Sequence, residues 1–177
     1  MKRKMLILIS LITLYFVGCH GPYKYSNEEV IKYITENKEP KSKTMCAWYC
    51  MKAIRKGGCY NCYIYPAYAY DKILPQLGFK KVSIDNYSPK AGDISVLPKN
   101  SKSRFGHIAI YNGSKWISDF EQNSIFPNKN YRDVGKYQIF RIEDGWHWGH
   151  LYLNITDIPD YIASLKSFMS KKFNLKN

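Results

Sequence analysis

Five cysteines and four histidines are the side chains of this 177-residue sequence that could serve as nucleophile and base. A thiol attacks a carbonyl as its thiolate, so it needs a field that favours the anion and an imidazole that takes the proton. The first turn of a helix supplies that field through its unpaired N–H groups and the positive end of its dipole. Cys46 has this place: Thr44 can cap a helix that begins at Met45 or Cys46, runs through Arg55 and stops at Gly57-Gly58. Cys50 lies one turn deeper on the same face and feels less of the field. His107 stands in Phe105-Gly106-His107-Ile108-Ala109-Ile110, where alternate residues turn to the core and fix the backbone of a strand. His20 sits at the end of the N-terminal apolar segment, and His147 and His150 follow the last expected strand among tryptophans. His107 is therefore the best-placed base.

The elements that must position this pair can be read from spacing. Ser26 with Glu29 forms a capping box ahead of Val30, Ile31 and Ile34, which predicts a helix over residues 27–37. A polar linker, 38–44, leads to the Cys46 helix. A third helix opens at Pro66 and runs to Leu77, with Pro75 distorting its last turn and Gly78 ending it. Beyond it come five short β-branched or aromatic runs: Lys80–Ile84, Asp93–Leu97, Gly106–Tyr111, Trp116–Phe120 and Tyr137–Ile142. Asn112-Gly113 is a strong turn signal, so residues 106–120 should form a hairpin with His107 near its start and Asp119 near its end. Helices first and antiparallel strands second predict an α+β fold, with N-terminal helices packed on a five- to six-stranded antiparallel sheet.

The ends of the chain carry other information. Lys2, Arg3 and Lys4 precede an unbroken apolar run from Met5 to Gly18, too short to suit a spanning helix and typical of an export signal. Residues 1–19 are thus expected to be a signal, 20–150 one catalytic domain, and 151–177 an amphipathic basic helix docked on that domain. Val17-Gly18-Cys19 is similar to the end of a bacterial lipobox, although Phe16 departs from it. Two endings stay open, a lipoprotein acylated at Cys19 or ordinary cleavage and release; either places the mature chain outside the cytoplasm, as a periplasmic or outer-membrane lipoprotein or a secreted protein. The formal charge is +13, and loss of Lys2, Arg3 and Lys4 leaves +10. Such an excess calls for an anionic partner. The lysines are scattered singly and form no nucleic-acid module, so a cell wall or a membrane surface, reached through a lipidated Cys19 or the C-terminal helix, is expected in place of nucleic acid.

Met45-Cys46-Ala47-Trp48-Tyr49 resembles the nucleophile helix of CHAP amidases and of the type VI secretion amidase effectors. Gly92-Asp93-Ile94 followed by Gly106-His107-Ile108-Ala109-Ile110-Tyr111 resembles their histidine-bearing strand pair, and Trp116-Ile117-Ser118-Asp119-Phe120 is similar to the segment that closes the site in the effector branch and its secreted relatives. The resemblance spans about residues 44–125. It implies a papain-like cysteine peptidoglycan amidase, of the CHAP and NlpC type, that cuts an amide of the cell-wall stem peptide through an acyl-enzyme without metal or cofactor. It casts Cys46 as nucleophile, His107 as base and then acid, and Asp119, on the partner strand of the hairpin, as the group that orients the imidazole; Ser118 or a backbone carbonyl could replace Asp119. Asp93 matches the family's Gly-Asp pair but opens a strand after the turn at Pro89–Gly92, so it is given a structural part. An immunity or inhibitor protein is an expected partner, and a monomer the expected state. Two other readings use the same residues: a wall-binding or inhibitory lipoprotein whose site is inactive, and an exported Cys/His acyl hydrolase of lipids. Effectors of the type VI machine ordinarily lack an export signal, which sets this chain apart from an injected toxin. Of the remaining cysteines, Cys50, Cys59 and Cys62 should supply one disulfide, with Cys50 joined to Cys59 or Cys62 favoured over a bridge within Cys59-Tyr60-Asn61-Cys62.

Overall fold

The computed structural model describes residues 20–60 and 66–150, with residues 162, 163, 166, 169 and 170 of the C-terminal segment. The expected export signal with Cys19, Cys62, and most of 151–177 lie outside the described residues. In chain order the elements are β1 (His20–Tyr25), α1 (Asn27–Glu36), α2 (Cys46–Lys56), a 3₁₀ turn (Ala67–Ala69), α3 (Tyr70–Gln76), β2 (Lys80–Val82), β3 (Ile94–Leu97), β4 (His107–Tyr111), β5 (Trp116–Ile117), β6 (Glu121–Gln122), α4 (Lys129–Val134), β7 (Gln138–Arg141) and β8 (Gly145–His150).

The capping box forms as its spacing requires: Ser26 is the N-cap of α1 and its hydroxyl accepts from the Glu29 N–H, 3.3 Å away. Val30 and Ile34, one turn apart, are the residues of α1 that are fully buried. The same logic gives α2 its inner face, Tyr49, Cys50, Met51, Ala53 and Ile54, which packs against α1 and β4. Each aliphatic side chain buried here contributes about 1.5–3 kcal/mol by leaving water. The third expected helix is broken into the 3₁₀ turn and α3, and Pro75 stands in the last turn of α3, with Leu77 as its C-cap.

Six strands make one antiparallel sheet in the order β2-β7-β3-β4-β5-β6. The fold is α+β, with the helices packed on this sheet. Its central strands β3 and β4 are buried along almost their whole length, in keeping with runs in which Ser95 and His107 are the polar residues. The β4–β5 hairpin turns at Asn112-Gly113, where the Asn112 side chain accepts from Ser114 N at 3.0 Å and Lys115 N at 2.7 Å.

Two parts depart from the expectation. The run Trp116–Phe120 is not one strand: it pairs with β4 over Trp116–Ile117, bends at Ser118-Asp119-Phe120 and returns as β6, with Ile117 opposite Glu121 and Trp116 opposite Gln122. A second, two-stranded ribbon joins β1 to β8, the two ends of the described domain. No strand is expected there, because Gly21-Pro22 interrupts one run and Gly145 and Gly149 fall within the other; a ribbon with two open edges tolerates the proline. The described residues of the C-terminal segment are helical, with Ile162 and Met169 exposed.

Candidate active site

Cys46 is the first residue of α2, half-buried, and packs against the core cluster. The cap differs from the expected one. Met45 holds the N-cap position without a side-chain bond, and Thr44 stands in the left-handed region, φ +55°, with its hydroxyl donating to the Lys43 carbonyl at 2.6 Å. The carboxylate that satisfies the helix start comes from across the fold. Asp119 Oδ2 accepts from Lys43 N at 2.5 Å, Met45 N at 3.2 Å and the Ser42 hydroxyl at 3.2 Å, while its carbonyl accepts from Glu39 N at 2.7 Å. A carboxylate on these N–H groups is favoured by the positive end of the helix. Asp119 is therefore neither on a strand nor hydrogen-bonded to His107; it sits in the bend after β5, tied to the chain that enters the Cys46 helix.

His107 opens β4 opposite Leu97 and is 6% exposed. Gly106, at φ +66°, makes this entry feasible, because a Cβ there would come within 2.5 Å of the Leu97 carbonyl. Burial lowers the imidazole pKa to about 4, against the raising influences of the Asp119 charge and of a hydrogen bond with Gln122. The ring is thus neutral at pH 7. Its Nε2 lies 2.9 Å from Gln122 Nε2, and the same amide nitrogen donates to the Ser118 hydroxyl at 2.8 Å. Ser118 in turn donates to Asp119 Oδ1 at 3.1 Å. Tyr131, from α4, packs its ring at 5.8 Å from that of His107, and its hydroxyl is hydrogen-bonded to Ser103. Burial is the main reason its phenol is pushed up to about 12.

Cys46, His107 and Asp119 line one cavity of about 390 Å³, with Ser42, Thr44 and Tyr131 beside them. Lys102, Ser103 and Phe105, between β3 and β4, and Pro127, Asn128 and Asn130, at the start of α4, supply much of the remaining wall. Cys50, by contrast, is fully buried beneath the site, its thiol donating to the Ile108 carbonyl at 3.6 Å. Cys59 is buried as well, and no disulfide joins it to Cys50 among the described residues. His147 is engaged elsewhere, on the β1–β8 ribbon, with its ring against Tyr23 and Nε2 at 2.7 Å from the Glu143 carbonyl. Gln122 and Tyr131 are the site residues that spacing does not single out. They fall in a turn-rich stretch, 122–132, with no periodicity to aim either side chain.

The chain matches one chain in the crystal structure of the type VI native effector–immunity complex Tae3–Tai3 from Ralstonia pickettii, with 32% identity and a TM-score of 0.58, over 67% of this chain and 100% of that one. A selenomethionine crystal form of the same complex matches at 30% identity and a TM-score of 0.52, over 63% of this chain and 97% of that one. This chain belongs to the same family as that chain of the Tae3–Tai3 complex. No protein-family model matches it, and no curated protein does. Within the family's shared fold, the cavity at the start of α2 is where this chain gathers a thiol, a neutral imidazole and a carboxylate.

Proposed function

We propose that this chain follows the effector side of that pair: a cysteine hydrolase of the papain-like type that cuts an amide bond in the peptide stems of bacterial peptidoglycan. The observation that carries the reading is the single cavity in which Cys46, at the first turn of α2, and His107, neutral at pH 7, both open to the same space. An immunity protein acts by covering its target and has no use for a buried base beside a thiol at a helix start.

The chemistry follows from these groups. His107 takes the Cys46 proton as the sulfur attacks the amide carbonyl, and the N–H groups at the start of α2 stabilise the oxyanion. Collapse of the tetrahedral adduct breaks the C–N bond, His107 returns its proton to the leaving amine, and a thioester remains on Cys46. Water, deprotonated by His107, then attacks the thioester and frees the stem fragment and the thiol. Asp119 contributes twice: it holds the entry to α2, and its charge favours the imidazolium that forms in each half-reaction. The positive surface suits a wall rich in carboxylates, and the leader read in residues 1–19 would deliver the chain outside the cytoplasm, where an immunity or inhibitor protein would also act.

Incubation of the mature protein with purified sacculi tests this. Muropeptides released into solution and identified by mass spectrometry should carry a cut in the stem or cross-bridge, and Cys46→Ala or His107→Ala should lower release by at least ~10³-fold with the fold intact. Undiminished release by Cys46→Ala overturns the reading, and binding of sacculi without release by the wild type favours a wall-binding protein with an inactive site.

A further inference from the structure

The outer side of α2 opens on a second cavity, of about 520 Å³, that shares no lining residue with the one at Cys46. Trp48, Lys52, Arg55 and Lys56 line it at i, i+4, i+7 and i+8, a single stripe of the helix. Tyr33 of α1 and Tyr60, beyond the end of α2, bring two more rings to the same wall. Cys50 and Ala53, on the opposite side of the helix, stay in the core.

Three cations and no carboxylate line this cavity among the described residues. Their spacing works against them: Lys52 with Arg55, and Lys52 with Lys56, are like charges three and four residues apart, which repel on a helix. The dipole of α2 favours Arg55 and Lys56 in the last turn, but it explains neither Lys52 at mid-helix nor the three aromatic rings beside it. Trp48 holds Lys52 in place, with the ammonium nitrogen 4.0 Å from the ring centroid. Tyr60 is 69% exposed. A groove of this kind suits a ligand with several anionic groups and flat, weakly polar faces between them. A small inorganic anion would leave the rings without a task, and a bilayer surface does not enter a concave groove.

We propose that this cavity is a second binding site of the chain, for an uncut strand of peptidoglycan, whose stem-peptide carboxylates meet Lys52, Arg55 and Lys56 while its sugar rings lie against Tyr33 and Tyr60. Cys46 and Lys56 are the two ends of one helix, about 15 Å apart along its axis, so a strand held in the groove keeps neighbouring stems within reach of the thiol. The site supplies attachment and no chemistry, raising the local concentration of stems at Cys46. The inference rests on the proposed wall substrate, and binding can be measured without any cutting.

Co-sedimentation of the mature Cys46→Ala protein with purified sacculi reads this site with the cut disabled. Lys52→Gln, Arg55→Gln and Lys56→Gln together should weaken binding ~10-fold, whereas Lys72→Gln, Lys80→Gln and Lys81→Gln, at exposed lysines outside the cavity, should weaken it less than ~3-fold. Tyr60→Ser should weaken it ~3- to 10-fold with the charge untouched. Unchanged binding in the cavity triple overturns the proposal. An equal loss in both triples overturns it too, because binding then belongs to the positive surface as a whole. If the cavity triple keeps its hold on sacculi but loses a single-stranded oligonucleotide or phosphatidylglycerol vesicles, the cavity serves another partner and the proposal falls. With Cys46 restored, the cavity triple should raise KM on sacculi ~10-fold and leave kcat on short soluble muropeptides at the wild-type level. Cavity-dependent binding in a protein that releases no muropeptides leaves this inference standing and removes the hydrolase reading; release with cavity-independent binding does the reverse.

Discussion

Two buried aspartates, Asp93 and Asp119, stand at bends next to the central strands, and the sheet uses them in opposite ways. Asp93, fully buried before β3, accepts Arg141 Nε at 2.6 Å and Nη2 at 2.7 Å, the Tyr87 hydroxyl at 2.7 Å and Lys90 N at 2.9 Å. Its charge is met by a two-pronged guanidinium from β7, and the result is a clamp between neighbouring strands. Burial and the Asp93 charge together hold the Tyr87 phenol far above its ordinary range. Asp119 has four donors at its carboxylate, two backbone N–H groups and two serine hydroxyls, and none of them is a cation. Among the described residues no ion pair neutralises it, and its field reaches His107. One carboxylate has its charge consumed by structure; the other is solvated by neutral dipoles and keeps its charge available to the base.

The largest effect expected from this contrast is on stability. Arg141→Met leaves the Asp93 carboxylate in the sheet without its cation, and breaking a buried pair in this way costs about 3–5 kcal/mol. Urea denaturation should show that loss, while muropeptide release per folded molecule stays at the wild-type level. A drop in activity at unchanged stability would erase the distinction between the two aspartates. A somewhat smaller effect concerns acid. His107 titrates at about 4 in the folded chain and near 6.5 when unfolded, so between these values the unfolded chain binds more protons and stability falls as pH falls. The loss attached to this one ring is about 2 kcal/mol by pH 5 and about 3 kcal/mol by pH 4. Denaturation of wild type and His107→Gln from pH 7.5 to 4 measures it as the difference in slope; parallel curves would mean that the ring is not held neutral by burial.

The same contrast explains what the sequence made legible. The helices, the central strands and the Asn112-Gly113 hairpin announce themselves because local periodicity and turn chemistry agree with the fold they join. Cys46 and His107 are legible for the same reason, each being fixed by its own element. Asp119 is visible as a residue near the site but not in its contacts, since the bend at Ser118-Asp119-Phe120 turns a would-be strand into two, and nothing in Trp116–Phe120 marks the break. The Thr44 cap fails because Thr44 adopts a left-handed φ of +55° with its hydroxyl on the Lys43 carbonyl, while Asp119, from across the fold, holds the N–H groups of Lys43 and Met45 on either side of it. Gln122 is hidden altogether: a two-residue strand has no pattern, and its amide acquires meaning only when β6 folds back on β5 and brings it to the ring of His107. The β1–β8 ribbon escapes likewise, because its pairing joins the far ends of the domain.

Asp119→Asn separates charge from shape. The amide retains an oxygen that can accept from Lys43 N and Met45 N, so the entry to α2 should survive at a cost of about 1 kcal/mol. What disappears is the field at His107. The imidazolium loses its nearby anion, its pKa falls below about 4, and the ring becomes a weaker base for Cys46. Release of muropeptides should therefore drop ~10- to 100-fold at pH 7, equivalent to about 1.4–2.8 kcal/mol in the barrier, while the acid limb of Cys46 alkylation shifts to lower pH. The signature is a slower site that is also harder to protonate, in a chain that still folds. Should Asp119→Asn instead unfold the protein as Arg141→Met does, with activity per folded molecule intact, Asp119 would be a second structural clamp and the base would owe its tuning to burial and Gln122 alone.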